Sequence, residues 1–282
     1  MTTSRGLAGG IAVVALVVSG ALPSSPNPAL PVAAAQAPAG RGAQPAVPLP
    51  LPPALLGCPE LATALRGVAA NDARLRDWAQ LARYREANRS AGSVDVVFMG
   101  DSITDSWPQE RFGVFFPGRR YVGRGISGQT TPQMLVRMRP DVLNLKPKAV
   151  VILAGTNDIA GNTGPMTDEE IQGNLASMSE LAAAGGVKVV LSSVLPTSNY
   201  HVGPTGVPQT TTRPLARIRA LNEWMKQYAS SRGHVYLDYY AAMLDGAGMM
   251  RGEYTNDDLH PNAAGYAVMA PLAQAAIDRA IN

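Results

Sequence analysis

Four short stretches of this 282-residue chain hold side chains that together could carry out acyl transfer. Gly100-Asp101-Ser102-Ile103 offers a hydroxyl, and Asp257-Asp258-Leu259-His260 an imidazole closely preceded by two acids. Gly123-Arg124-Gly125-Ile126-Ser127-Gly128-Gln129 is a glycine-rich turn, and Gly155-Thr156-Asn157-Asp158 carries a neutral amide. A resting serine hydroxyl is a weak nucleophile and needs an imidazole within reach to take its proton, so Ser102 pairs with His260 as its base. An acid three residues before an imidazole can fold back onto the other ring nitrogen, fix the tautomer and stabilise the imidazolium. Asp257 has that spacing, and neighbouring Asp258 is the second candidate. The tetrahedral oxyanion then needs preorganised donors. Gly128 lets its backbone N–H approach closely, Asn157 offers a side-chain N–H without adding charge, and the N–H of Ser102 is a natural third. Alone, Gly-Asp-Ser is a common turn in which Ser102 would only cap a helix. The chemistry is carried by the four stretches as a set.

These residues need a frame. Residues 94–99, 149–153 and 188–191 are continuous, β-branched-rich apolar runs that read as buried strands, and 120–122 and 234–237 are shorter candidates of the same kind. Between them lie helical patterns. Met134, Met138 and Val142 repeat at helical spacing behind Pro132. Thr167 followed by Asp168, Glu169 and Glu170 is an acid-rich, capped helix start. Ile218, Leu221, Trp224, Met225 and Tyr228 form another apolar face, as do Val268, Leu272 and Ala276 after Pro261. Leu75, Trp78, Leu81 and Tyr84 predict a helix that packs onto the body before the first strand. Strands alternating with helices specify an α/β fold, a parallel sheet of about five strands with helices on both faces. In such sheets functional residues sit just beyond the carboxyl ends of strands. Three of the four stretches fall there, and the fourth directly precedes the last helix.

In this order, GDSIT, GISGQT, GTND and DxxH resemble the four blocks of the SGNH/GDSL hydrolase superfamily. The likeness runs from about Val94 to the last helix. It is nearest the bacterial lysophospholipase-like and platelet-activating-factor-acetylhydrolase-like branch, with Ile103 where the family name has Leu. The resemblance implies a flavodoxin-like three-layer α/β/α fold and serine-dependent ester hydrolysis through an acyl-enzyme, with no metal or cofactor. By matching position, Ser102, Gly128, Asn157 and His260 take the four named roles, and Asp257 becomes the third member of the triad.

Other features compete less well. Gly123-x-Gly125-x-x-Gly128 matches the dinucleotide fingerprint, but no acid ends a strand at the required distance of ~20 residues. The three histidines are too scattered for a metal site. His234 opens a strand and reads as structural. His201 lies in the polar loop 196–214, whose length suits a lid or binding loop; Tyr200 and His201 are either substrate contacts there or solvated side chains. Trp107 either lines an acyl pocket or belongs to the core.

Residues 1–37 read as a signal peptide and processing region: a short basic start, then an uncharged apolar run over 7–22 that is short for a bilayer span. A retained membrane anchor is the alternative. Residues 38–57 continue a stretch rich in Pro and Ala, ten of the 23 prolines falling between Pro23 and Pro53, and form a linker. The hydrolase domain spans 58–282. Its one cysteine, Cys58, forms no intrachain disulfide. Of the 24 basic residues, Arg5 and Arg41 precede the domain, leaving 22 against 21 acids and no basic run for nucleic acid. The expected partner is a small-molecule or carbohydrate ester, for a secreted or periplasmic enzyme with no stable membrane partner. Aromatics are only 6% of the chain, which favours a short acyl or acetyl ester. Lipid esters, acyl transfer to a sugar, and an inactive binding module on the same fold are the other readings.

Overall fold

Each apolar run folds into a strand of one sheet in the computed structural model of the protein. The strands are β1 (Val96–Gly100), β2 (Tyr121–Gly125), β3 (Ala149–Leu153), β4 (Lys188–Ser192) and β5 (Val235–Leu237). All neighbours pair in parallel, in the order β2-β1-β3-β4-β5. The structure describes residues 75–201 and 206–282, together with 61, 63, 65 and 68. These lie in the compact unit Pro50–Asn282. The expected signal segment, the 38–57 linker and Cys58 lie outside the described residues.

Among the described residues the helices are α1 (Arg85–Arg89), α2 (Ser102–Ser106), α3 (Thr131–Asp141), α4 (Thr156–Ile159), α5 (Asp168–Ala184), α6 (Gln209–Thr212), α7 (Leu215–Arg232), α8 (Tyr239–Met243) and α9 (Ala263–Ile281). Alternate strand residues point to opposite faces. Val97, Met99, Val150, Ile152, Val189 and Leu191 therefore share one core with Met134 and Met138 of α3, Leu175 and Met178 of α5, and Ile218 and Met225 of α7. Val96, Phe98, Val151, Leu153 and Val190 share the other with Tyr266, Met269 and Ala273 of α9. Both faces of the sheet are thus covered, giving three layers. Each fully buried apolar side chain contributes roughly 1.5–3 kcal/mol. The helix starts follow the sequence signals: Pro132 lies in the first turn of α3, and Thr167 with Glu170 forms a reciprocal capping box; Thr130 with Gln133 forms a second box that is not among those signals.

Two apolar patterns behave differently from expectation. From Asp77 to Tyr84 the chain forms turns instead of continuing as a helix: Leu75, Trp78 and Leu81 are exposed, and Gln80 is left-handed at φ 53°. The Asp77 carboxylate accepts from the N–H groups of Leu81 and Ala82, at 2.8 and 3.0 Å, and holds a turn there. Both backbone and side chain hold the segment to the body: Trp78 O and Ala79 O accept from the Gln133 and Gln129 amides, and Tyr84, as expected, packs inward, its hydroxyl donating to Gly125 O and its ring lying under Arg124. On α9 the buried face is Gly265, Tyr266, Met269, Ala273, Ala276 and Ile277, with Val268 and Leu272 at its margin. Tyr266 sets this rotation by donating to Ile103 O at 2.7 Å and stacking on Trp107.

The strand order reverses at β1, which lies between β2 and β3. Ligand sites in open α/β sheets form at the carboxyl ends of the strands flanking such a reversal.

Candidate active site

Ser102 begins α2 immediately after β1. The Asp101 side chain caps this helix by accepting from the Ile103 N–H at 2.9 Å. The helix backbone presses directly on β2. A Cβ at Gly125 would lie 2.1 Å from Asp105 N and 2.6 Å from Asp101 O, so only glycine allows this approach. Asp105 then reaches the glycine turn after β2, where its carboxylate accepts from Ser127 N at 3.1 Å and Ser127 Oγ at 2.7 Å. The nucleophile segment and the turn are therefore one rigid piece.

His260 stands over the serine. Its Nε2 lies 2.8 Å from Ser102 Oγ, and its Nδ1 lies 2.7 Å from Asp257 Oδ2. A carboxylate at Nδ1 places the proton on that nitrogen, leaving Nε2 to accept from the hydroxyl. Asp257 Oδ1 also accepts from the N–H groups of His260 and Leu259, at 2.7 and 3.1 Å. Burial pushes the Asp257 carboxyl up, but the hydrogen bonds and charge of His260 outweigh it and hold the group well below the usual carboxylate range. Asp258 turns the opposite way. Its left-handed backbone, φ 67°, aims the carboxylate at Ser198 Oγ (2.6 Å), Tyr200 N (2.9 Å) and His201 N (2.7 Å). Of the two adjacent acids, Asp257 contacts the imidazole of His260 and Asp258 fastens the loop.

Ser102, Gly128 and Asn157 follow β1, β2 and β3, so their N–H groups share one edge of the sheet. Gly128 is left-handed at φ 80°, a conformation that other residues rarely adopt, and its carbonyl accepts from Asn162 Nδ2 at 3.1 Å. Asn157 is buried on α4, and its Nδ2 donates to Gln129 O at 3.0 Å. Beneath them the fully enclosed Arg137 donates to Gly100 O, Arg124 O and Gln129 Oε1 at 2.8, 2.7 and 2.5 Å and pairs with Asp141 at 3.0 Å. One guanidinium thus ties the ends of β1 and β2 to the turn that carries Gly128.

Other sequence candidates fall elsewhere. Tyr200 and His201 meet Asp258, and the Tyr200 hydroxyl donates to Asp245 Oδ2 at 2.5 Å. Trp107 is buried in an aromatic cluster with Phe98, Phe115, Phe116 and Tyr266 and also lines a groove beside α9. His234 adjoins the amino end of β5, on the edge opposite Ser102. Gly123 and Gly125 lie within β2 instead of turning into a helix, which is not the geometry of a dinucleotide fingerprint. Among the described residues no group of three or more His, Cys, Asp or Glu could hold a metal ion.

Three residues near the site escape sequence reading: Asp101, Arg137 and Arg213. Arg213 comes from the far end of the long loop, and its Nη2 lies 3.4 Å from Asn157 Oδ1. Its one signal was being the sole Lys, Arg, Asp or Glu in residues 196–214.

Comparison with known proteins places this geometry among relatives. The GDSL-like Lipase/Acylhydrolase family matches residues 98–268. The chain is 31% identical over 187 residues to Esterase TesA of Pseudomonas aeruginosa, covering 62% of this chain and 84% of that protein. The human platelet-activating factor acetylhydrolase IB subunit alpha2 is 31% identical over a shorter stretch of 106 residues, 36% of this chain and 44% of its own length. The crystal structure of a GDSL-like lipase from Bacteroides thetaiotaomicron is 39% identical, superposes with a TM-score of 0.65, and is matched over 72% of this chain and 98% of that one.

Proposed function

Since the chain belongs to the GDSL-like lipase/acylhydrolase family, we propose that it hydrolyses carboxylic esters with Ser102 as nucleophile, acting on short acyl or acetyl groups carried by a carbohydrate alcohol. The observation that carries this reading is the unbroken relay from Ser102 Oγ through His260 to Asp257. His260 Nε2 takes the hydroxyl proton as Oγ attacks the ester carbonyl. Asp257 stabilises the imidazolium, and the oxyanion is met by the N–H groups of Ser102 and Gly128 and by Asn157 Nδ2. The imidazolium returns its proton to the leaving alcohol, an acyl-Ser102 ester remains, and water activated by His260 then releases the acid. The N-terminal run that reads as a signal peptide supports action outside the cytoplasm.

Charged and polar groups next to the triad support the short acyl group: Asp101 directly precedes the serine, and Arg213 contacts Asn157 and feels the charges of Asp101 and Asp257. One observation favours the second reading, a longer lipid acyl chain. A groove of about 350 Å³ lined by Phe112, Val114, Ala267 and Pro271 runs beside α9, and it includes Ala263, three residues after His260. A panel of p-nitrophenyl esters of rising acyl length, with acetylated sugars and lysophospholipids, decides between them. Ser102→Ala is the blank, and its kcat is expected to fall by a factor on the order of 10⁶. Wild-type turnover by Ser102→Ala, or no labelling of Ser102 by a fluorophosphonate, refutes the mechanism.

A further inference from the structure

We propose that Arg213 is the positioning residue of the oxyanion site, locking the Asn157 amide with its Nδ2 toward the reacting carbonyl. This rests on the reading of Asn157 as an oxyanion donor. A buried asparagine amide can flip by exchanging oxygen and nitrogen, and only one orientation donates to an oxyanion. Two contacts select it here. Gln129 O is an acceptor and takes Nδ2 at 3.0 Å, while Arg213 Nη2 is a donor and lies 3.4 Å from Oδ1. A flipped amide would set oxygen against the Gln129 carbonyl and NH₂ against a guanidinium, so both contacts would become repulsive. The second proton on Nδ2 is thereby left for the substrate.

The guanidinium is itself fixed. Its Nε donates to Thr156 Oγ1 at 3.2 Å, and its Nη1 donates to Gln209 Oε1 at 2.8 Å and Thr212 Oγ1 at 3.2 Å. It is buried, with 8% of its surface exposed, and its acceptors are neutral oxygens. Burial lowers its pKa, and the charges of Asp101 and Asp257 favour the cation. Lysine cannot replace it, because one ammonium cannot span Thr156, Asn157 and Gln209 together.

The test is a double-mutant cycle on an activated acetyl ester, read as separate kcat and KM values. Asn157→Ala is expected to lower kcat by ~10²–10³. In the Asn157 protein, Arg213→Lys should lower kcat by about tenfold or more, and by no more than Asn157→Ala does, with KM changing little. In the Asn157→Ala background the same replacement should change kcat by less than about twofold, because there is no amide left to position. Equal losses in both backgrounds, or a loss confined to KM, would overturn the proposal and leave Arg213 a loop anchor. Arg213→Gln serves as a second variant, and the thermal melt of each protein establishes that it is folded. If Ser102→Ala is inactive and Asn157→Ala impaired while the cycle is additive, only the Arg213 proposal fails. Full activity of Ser102→Ala or Asn157→Ala removes the site reading and this proposal with it.

Discussion

Asp101 gives a sharp quantitative test, because it is a carboxyl with no exposure directly beside the nucleophile. Its Oδ1 accepts from Ile103 N, while its Oδ2 is buried without a hydrogen-bond partner. Burial pushes the carboxyl up to about 6; the Ile103 N–H and the charges of His260 and Arg213 pull it down, and Asp158 adds to the rise. Relative to the ordinary 3.8, that gap corresponds to about 3 kcal/mol. The sign follows from linkage. Well below the ordinary value of 3.8 the group is protonated folded and unfolded, and it costs nothing. Above about pH 6 it is ionised in both states and the folded protein bears the whole cost, which grows between those limits. Asp101→Asn keeps the shape and an acceptor for Ile103 N–H but cannot ionise. Its stability relative to wild type should therefore rise by about 2 kcal/mol from pH 4.5 to pH 7, the remainder of the cost being incurred at lower pH. Urea unfolding followed by tryptophan fluorescence at pH 4.5, 5.5 and 7 measures this. A difference that stays constant with pH, or an Asp101→Asn protein less stable at pH 7 than at pH 4.5 relative to wild type, would refute the reasoning. Turnover should fall in the same variant, because the lost charge is one that favours the imidazolium.

Two further perturbations probe the frame. Gly125→Ala forces a methyl against the α2 backbone at 2.1 Å; a loss of 1–3 kcal/mol or more in urea unfolding is expected, and unchanged stability would mean that α2 does not press on β2. Asp258→Ala strips the acceptor from Ser198 Oγ, Tyr200 N and His201 N, so both stability and kcat should fall, the latter through the adjacent Asp257. Activity at the wild-type level would show that the loop and the imidazole are uncoupled.

The parts of this molecule legible in its sequence are those set by local pattern. Continuous β-branched runs such as 149–153, alternating with helical patterns, fit strands buried on both faces of a parallel sheet, so β3 and its neighbours follow from local pattern. Pro132 and Thr167 announce their helices because first-turn and capping preferences are local, whereas the second capping box, Thr130 with Gln133, emerged only in the structure. The face of α9 was displaced because Tyr266 is drawn to Ile103 O across the fold, which spacing within the helix cannot reveal. The segment from Leu75 to Leu81 imitated a helix in its apolar spacing, yet the Asp77 carboxylate and two glutamine amides captured its backbone first. At the site, the blocks around Ser102, Gly128, Asn157 and His260 were visible because each holds its chemistry within a few residues. Which of Asp257 and Asp258 faces the imidazole depends on one left-handed φ. Arg213 was hidden for another reason: its partner lies 56 positions away in the chain.

The long loop has a consequence for how such an enzyme would be lost. Its first stretch is fastened to the turn bearing His260 through Asp258, and its last stretch reaches Asn157 through Arg213. One cleaved peptide bond at Val207 would leave all five strands paired while severing the covalent link between the two attachments. A limited digest should then yield a species that still melts cooperatively but turns over more slowly, so that ageing preparations would lose rate before they lose fold.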